Sequence, residues 1–428
     1  MPLHPKLWPL SIRVLIGLFL GIVLGLFGGS KPYLFGLGNG DLGQIGMLII
    51  RLLKALAIPL ILFSILDAFI GTHITLRSGV RLILICLLNV SVAFAIGLTL
   101  MNGFKPGLAW RGHIDALISH VPSHTSATPA ATKLSLDPLQ NLSGYIPQSL
   151  LEPILNNNVI SIVLMALLFG AALGSLKRHP PEGSSLELSS LTNAISALYQ
   201  LLVRVLGWVV KIVPIAVLCL VAQAVGKSGL GIFSELAGYL AIIAMGLCLH
   251  GLIYYPLVAW AAGVSPRKYL GSGADAVLSG MSTNSSLATV PITLQCLKNM
   301  GVGDNSSRLA ACAGTNLNND GVTLYEAMTA LFLAQAVGLD LDTGQQIVVI
   351  LAALMAGIGI AGVPEAGLIV LPLVLGAAGL PEGVIAAAIP LIAPVDWILA
   401  RLRSAVNVLS DMLVAILLDA WERRSPTT

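Results

Sequence analysis

Charge is what this chain has least of. Only 10% of its 428 residues are Asp, Glu, Lys or Arg, whereas 56% are hydrophobic and the mean hydropathy is +0.90. Soluble domains carry about 25% charged residues, so a water-soluble globule is excluded and a polytopic membrane protein remains. The formal net charge of +3 comes without a basic cluster, which argues against a nucleic-acid partner. Cysteine is scarce as well: Cys86, Cys219, Cys248, Cys296 and Cys312 lie in or near apolar segments and form no C-x-x-C. They read as small packed residues, not as a disulfide framework or a thiolate metal centre. Catalytic frames are missing too. There is no P-loop, no H-E-x-x-H, and the run Ser282–Ser286 lacks the G-x-S-x-G frame, so ATP-driven transport by this chain alone and an enzymatic role are both remote.

What is present is long apolar runs. A bilayer core takes about 20 apolar residues per helix, and candidate spans cover residues 10–28, 45–70, 80–102, 158–176, 192–226, 231–263, 306–338 and 384–419. The first run follows Lys6 and Arg13 but ends at no small-x-small cleavage site, so it reads as a first helix and not as a leader. With eight spans, Arg77, Arg81, Lys177, Arg178, Arg267, Lys268, Arg423 and Arg424 all fall on one side. The positive-inside rule makes that side cytoplasmic, with both termini inside and the plasma (inner) membrane as the location. Residues 104–157 form the longest polar connection. Their His113, His120 and His124 fit no compact metal site and read as a solvated extracytoplasmic loop.

Two apolar segments are poorly built for spanning. Residues 271–300 contain GSGADAVLSGMSTNSSLATVP and residues 346–380 contain AGIGIAGVPEAGLIVLP. Each has two apolar arms around a break of small residues, the pattern of a re-entrant hairpin. Irregular backbone at membrane depth persists only against protein or a water-filled cavity. Each hairpin precedes a span with polar residues, and this repeated unit points to a midplane site between two halves.

The last span carries Asp396, Arg403, Asn407 and Asp411 at spacings that place all four within an arc of about 80° on one helix face. Charges in a span cost several kcal/mol unless paired or facing a polar cavity, so this stripe marks a buried site for ions or an ionic solute. In the seventh span, residues 314–321 read G-T-N-L-N-N-D-G. Poor helix formers here predict an unwound turn that offers carbonyls beside Asp320, an oxygen-only cluster suited to a hard cation such as Na⁺. Glu326, six residues on, is either a proton carrier or a carboxylate paired with a nearby base. Arg204 and Lys211 in the fifth span read as snorkelling or neighbour-contacting side chains. Asp67 falls towards the cytoplasmic end of the second span, where it needs no partner. His250 reads as a packed or interfacial histidine.

At these residues the chain resembles the dicarboxylate/amino acid:cation symporters, the family of glutamate transporters and their archaeal homologues. The first hairpin reads S-T-N-S-S-L-A-T-V-P over 282–291, similar to the family's serine-rich tip. Residues 318–326 read N-N-D-G-V-T-L-Y-E and resemble its N-M-D-G-T signature. The second hairpin has A-G-V-P-E-A-G over 361–367, the last helix runs from Asp396 to Asp411, and residues 51–59 look like the family's second span.

The resemblance implies an all-α membrane protein of eight transmembrane helices and two re-entrant hairpins, assembled as a homotrimer. Scaffold helices would occupy 1–75 and 158–228, with a loop at 104–157. An elevator-type transport domain would take 76–103 and 229–428, including hairpins 271–300 and 346–380, the second acting as outer gate. It implies that Arg403 clamps a substrate carboxylate, and that Ser285, Ser286, Ser404, Asn407 and the Val363 and Gly367 backbone complete the substrate pocket. One Na⁺ site would use Asp411, Asn407, Asn318 and the Gly314 carbonyl; a second, Asp320, Asn318 and Asn89; a third, backbone around Asn319 and Gly357 to Gly359. Glu326 matches the position of the proton carrier proposed in eukaryotic members.

This chain departs from the family pattern in places. Ala400 stands where amino-acid carriers hold an Asp for the substrate ammonium, as in the bacterial C4-dicarboxylate carriers. Val322 replaces a Thr beside the side-chain carboxylate, and Asn89 replaces a Thr with another oxygen donor. Asn319 replaces a Met, and Asn316 and Ile360 replace threonines, all at the third Na⁺ site. The expected function is Na⁺-coupled (and H⁺-coupled, if Glu326 carries a proton) uptake of succinate, fumarate or malate, with no organic cofactor. The alternatives are an acidic or neutral amino-acid carrier and, less favoured, a passive anion channel on the same scaffold.

Overall fold

The computed structural model describes residues 10–29, 31–33, 36–71, 76–111, 146–156, 159–178, 188–359 and 366–424. Among them every regular element is helical. The long helices are α1 (Leu10–Gly28), α2 (Asn39–Gly71), α3 (Leu76–Phe104), α4 (Val159–Arg178), α5 (Ser189–Ser228), α6 (Gly231–Cys248), α7 (Pro266–Thr283), α8 (Ser286–Met300), α9 (Asp320–Ala336), α10 (Thr343–Gly359), α11 (Ala366–Ala377) and α12 (Glu382–Arg424). A π-turn at Leu249–Tyr254 and a short helix at Tyr255–Ala261 continue α6.

By length and apolarity, three described helices suffice to cross a membrane: Gly79–Phe104, Leu236–Ala261 and Ile398–Arg424. A fourth forms if the bent pair Ser189–Val209 and Lys211–Gly226 is one span. The other apolar helices include Ile12–Gly28, Ile58–Asp67 and Ser161–Lys177.

Helices α1, α2, α4 and α5 pack chiefly on one another. Gly21 and Gly25, one turn apart on α1, let it close on α5: a Cβ on Gly21 would lie 2.7 Å from the Leu218 carbonyl, and one on Gly25 2.6 Å from Val225 Cβ. Small residues at this spacing let helices approach where lipid supplies no hydrophobic drive. A second group surrounds α9 and α12. Nearly every residue of α9 is buried, and 83% of the most apolar window of the last span is too. That span's polar stripe therefore faces protein and not lipid.

Each segment expected to form a hairpin holds a pair of packed helices. In the first, Ser265 caps α7 by accepting a hydrogen bond from the Lys268 amide (3.3 Å), with Pro266 in the first turn, where its missing N–H costs nothing. The chain reverses at Asn284, in the left-handed region (φ 52°), and Ser285 caps α8 through the Ala288 amide (3.2 Å). In the second, a capping box starts α10: Asp342 Oδ1 accepts from the Gln345 amide and Gln345 Oε1 from the Asp342 amide, both at 2.9 Å. Arms α10 and α11 pack together and rest on α2, and α10 also contacts α4. The tip at 360–365, including Val363 and Ile360, lies outside the described residues, as do His113, His120 and His124.

Three basic residues meet partners on other helices. The Arg81 guanidinium sits 5.3 Å from the Trp421 ring, Lys177 donates to the Ile70 carbonyl, and Lys268 to that of Met300. Arg204 and Lys211 are exposed on α5. Asp67, expected to need no partner, accepts a 2.5 Å hydrogen bond from Ser196 of α5. The two lie 129 residues apart, and only the packing of α2 on α5 brings them together.

Candidate functional site

The seventh expected span is broken, as its Asn-rich stretch predicts. A helical turn at Asp304–Arg308 passes through π and 3₁₀ turns to Asn316, and α9 begins only at Asp320. This break, the tip of the first hairpin, the arms of the second and the stripe of α12 meet in the buried interior.

Arg403 is at the centre and 2% exposed. Nη1 donates to Asp396 Oδ1 at 2.6 Å and Nη2 to Asp396 Oδ2 at 3.0 Å, a bidentate pair between residues two turns apart on α12. The guanidinium lies 3.9 Å over the Tyr325 ring. On its far side is Gly367 at the start of α11. A Cβ there would come within 2.7 Å of Arg403 Cζ, so the start of α11 lies directly against the guanidinium. Ala400, between Asp396 and Arg403, is buried, and its methyl offers nothing to a cation. Glu326 is fully buried, and neither of its carboxylate oxygens has a hydrogen-bond partner.

The first hairpin closes the other side. Ser404 Oγ donates to Asn284 Oδ1 (3.0 Å), and the Ser286 hydroxyl lies 3.3 Å from that of Thr315 in the broken span. Ser286 opens α8, so its amide belongs to the unpaired N–H groups of a helix start.

Two buried aspartates gather different polar partners. Asp411 faces Asn318 Nδ2 at 3.4 Å, while Asn318 Oδ1 is buried with no partner. A carboxylate beside an orphaned amide oxygen is an oxygen donor set of the kind hard cations take. The Gly314 carbonyl, expected to help, already accepts from the Leu317 and Asn318 amides (2.7 and 2.9 Å).

Asp320 is held by donors from two spans. Its Oδ2 accepts from Tyr255 Oη (2.8 Å) and Ser410 Oγ (2.7 Å) and lies 3.4 Å from His250 Nε2. The Leu249–Tyr254 π-turn carries His250, which stacks on Tyr254 with centroids 5.1 Å apart. Asn89, expected to share a cation with Asp320, accepts a 3.0 Å hydrogen bond from Tyr254 Oη, the ring stacked on His250.

The third expected site shows a chain of amides. The Gly321 amide donates to Asn407 Oδ1 (2.8 Å), Asn407 Nδ2 donates to Asn319 Oδ1 (2.9 Å), and Asn319 Nδ2 donates to the Gly357 carbonyl of α10 (2.8 Å).

Of the expected site residues, these contacts draw Ser286, Asn318, Asn319, Asp320, Gly357, Gly367, Arg403, Ser404, Asn407 and Asp411 together in the buried interior. Sequence reasoning missed Asn284, Thr315, Tyr255, Ser410 and Tyr325, which lie on other elements from the residues they contact, whereas His250 is packed as expected. It saw Asp396 on the stripe but did not pair it with Arg403; their shared face seven residues apart was the available signal.

The profile of the sodium:dicarboxylate symporter family matches residues 10–421. The chain belongs to that family. It is a symporter of the glutamate and dicarboxylate class, and the family's members are transporters. Over 417 residues the symporter is 27% identical to the proton/sodium-glutamate symport protein of Bacillus subtilis, covering 96% of this chain and 92% of that one. It is 25% identical over 421 residues to the proton/glutamate-aspartate symporter of Escherichia coli K12 (97% and 93% covered). It is 27% identical over 454 residues to mouse excitatory amino acid transporter 3 (94% and 83% covered).

Proposed function

We propose that this symporter accumulates small dicarboxylates of the succinate, fumarate and malate type by coupling their entry to Na⁺. The observation that carries the substrate reading is the charge balance on α12. Both oxygens of Asp396 are taken by Arg403, and the next turn of the same face holds Ala400. The stripe therefore has no free carboxylate for a substrate ammonium at that level, and a buried ammonium without a partner costs several kcal/mol. Among the described residues, Arg403 is the planar fork at the centre of the site, suited to a carboxylate once substrate competes with Asp396.

Asp411 with the orphaned Asn318 oxygen is the preferred Na⁺ site, and the Asp320 pocket is the second. Glu326 sits where a proton could travel with the substrate. The self-packing of α1, α2, α4 and α5 supports a scaffold, trimeric in the assembled protein, against which residues 76–103 and 229–428 move as an elevator. In this reading the chain makes eight spans with two re-entrant hairpins and lies in the inner membrane with both termini cytoplasmic.

A second reading, an acidic amino-acid carrier, is favoured by the names of the relatives, which include glutamate and aspartate transporters. Parallel uptake of radiolabelled succinate and aspartate into proteoliposomes under an inward Na⁺ gradient separates the two. Succinate accumulation without aspartate supports the proposal; equal aspartate accumulation overturns the argument from Ala400. Solute that equilibrates without accumulating would make the protein a channel.

A further inference from the structure

A cleft of about 470 Å³ opens where the end of α3 meets the end of α9 and the start of α10. That volume is in the range of small-molecule sites. Its polar lining is Asn102, Lys105, Arg111, Gln335, Asp340 and Gln346, and its other lining side chains are apolar. None of these residues belongs to the set around Arg403.

The walls are tied together across the chain. The Gly107 amide donates to Gln335 Oε1 (3.2 Å), which leaves Gln335 Nε2 to donate to the Met101 carbonyl (2.9 Å). A backbone N–H can only donate, so the Gln335 amide is not free to flip. Asn102 Nδ2 donates to Gln346 Oε1 (3.0 Å), and Gln346 Nε2 to the Leu341 carbonyl (2.9 Å). Each of these three amide nitrogens carries two N–H bonds and uses one in the wall. A Cβ on Gly107 would collide with the Phe332 carbonyl, so the 3₁₀ turn Pro106–Trp110 sits directly on α9.

Two cations line the cleft against one carboxylate. Lys105, in the left-handed region (φ 46°), and Arg111 flank that 3₁₀ turn. Lys105 is exposed, and among the described residues its ammonium pairs with no carboxylate. Arg111 Nε donates to the Gln335 carbonyl (3.3 Å), while Nη2 lies 3.9 Å from Oδ1 of Asp340, whose side chain is 92% exposed. So open a pair contributes little, and it yields to a better acceptor. Excess positive charge, spare amide donors and apolar surface together complement a short carbon chain with a carboxylate at each end.

We propose that this cleft is an accessory anion site for short dicarboxylates, held by Lys105 and Arg111 and separate from the site around Arg403. The choice of anion rests on the reading of the chain as a dicarboxylate symporter. In the topology proposed above, the cleft opens on the extracytoplasmic side, next to the first arm of the second hairpin.

Reductive methylation of Lys105 by formaldehyde, read by mass spectrometry on the full-length protein in nanodiscs, tests the cleft directly. Exposed Lys31 is the reference lysine. Succinate is compared with acetate at equal carboxylate concentration and with chloride at equal ionic strength. Succinate is expected to slow methylation of Lys105 about fivefold relative to Lys31, with half-protection in the millimolar range that a few exposed charge contacts supply. Acetate and chloride should have little effect. Arg111→Gln should remove the protection. Asp340→Asn deletes the competing carboxylate on an exposed side chain, and it should lower the half-protecting concentration about threefold; it covers the case in which Arg111→Gln fails to fold. Protection should persist in the paired variant Arg403→Ala with Asp396→Asn, which lacks the central fork. Absent protection, equal slowing of Lys31, acetate as effective as succinate, loss of protection in the paired variant, or protection unaltered by both Arg111→Gln and Asp340→Asn overturns the proposal. Failure of the transport reading would register separately, as absent succinate uptake by wild-type proteoliposomes.

Discussion

Ala400→Asp turns the charge argument into a gain-of-function experiment. In wild type the α12 stripe near Arg403 is neutral, because Asp396 and Arg403 cancel within their bidentate pair. A carboxylate at 400 falls one turn from Asp396 and three residues from Arg403, on the same face. It adds one negative charge to a site shielded from water, since Ala400 is 1% exposed. Aspartate differs from succinate by an ammonium, so the added charge should favour the first and oppose the second. A hydrogen bond to a charged group is worth about 1.5–3 kcal/mol, or about 10- to 150-fold in affinity. The ratio of aspartate to succinate uptake, at matched Na⁺ gradient and subsaturating substrate, should rise by a factor in that range. Folding is checked by the elution profile of the oligomer. A well-folded variant whose ratio stays within about threefold of wild type, less than the weakest such bond, would refute the idea that residue 400 decides whether an amino group is accepted.

Three further outcomes are expected. Arg403→Ala should abolish succinate binding, and it should also destabilise the protein by about 3–5 kcal/mol, because Asp396 is left as a buried unpaired charge; Asp396→Asn in the same chain should recover the stability, measured by thermal melting, without recovering binding. Asp411→Asn should raise the Na⁺ concentration for half-maximal uptake at least tenfold while leaving the fold intact, since it removes the formal charge beside the orphaned Asn318 oxygen; unchanged Na⁺ dependence would move that ion elsewhere. Glu326→Gln should flatten the pH dependence of uptake between pH 5.5 and 8 under a fixed Na⁺ gradient, and wild-type uptake already flat over that range would remove Glu326 as a proton carrier.

The membrane class of this protein is written in its scarcity of charge, which no local packing can alter. The stripe from Asp396 to Asp411 was legible because helical periodicity relates residues of one element, and α12 is continuous through it. The break at 314–319 was legible from Gly and Asn, which hold a helix poorly whatever surrounds them. Tertiary structure alone decided who meets whom. Asp320 is met by Tyr255 and His250 from 65 and 70 residues away, Asn319 reaches Gly357 across 38, and Asn89 meets Tyr254 across 165. Spacing along one chain segment carries no information about such contacts. They follow from how separate helices dock.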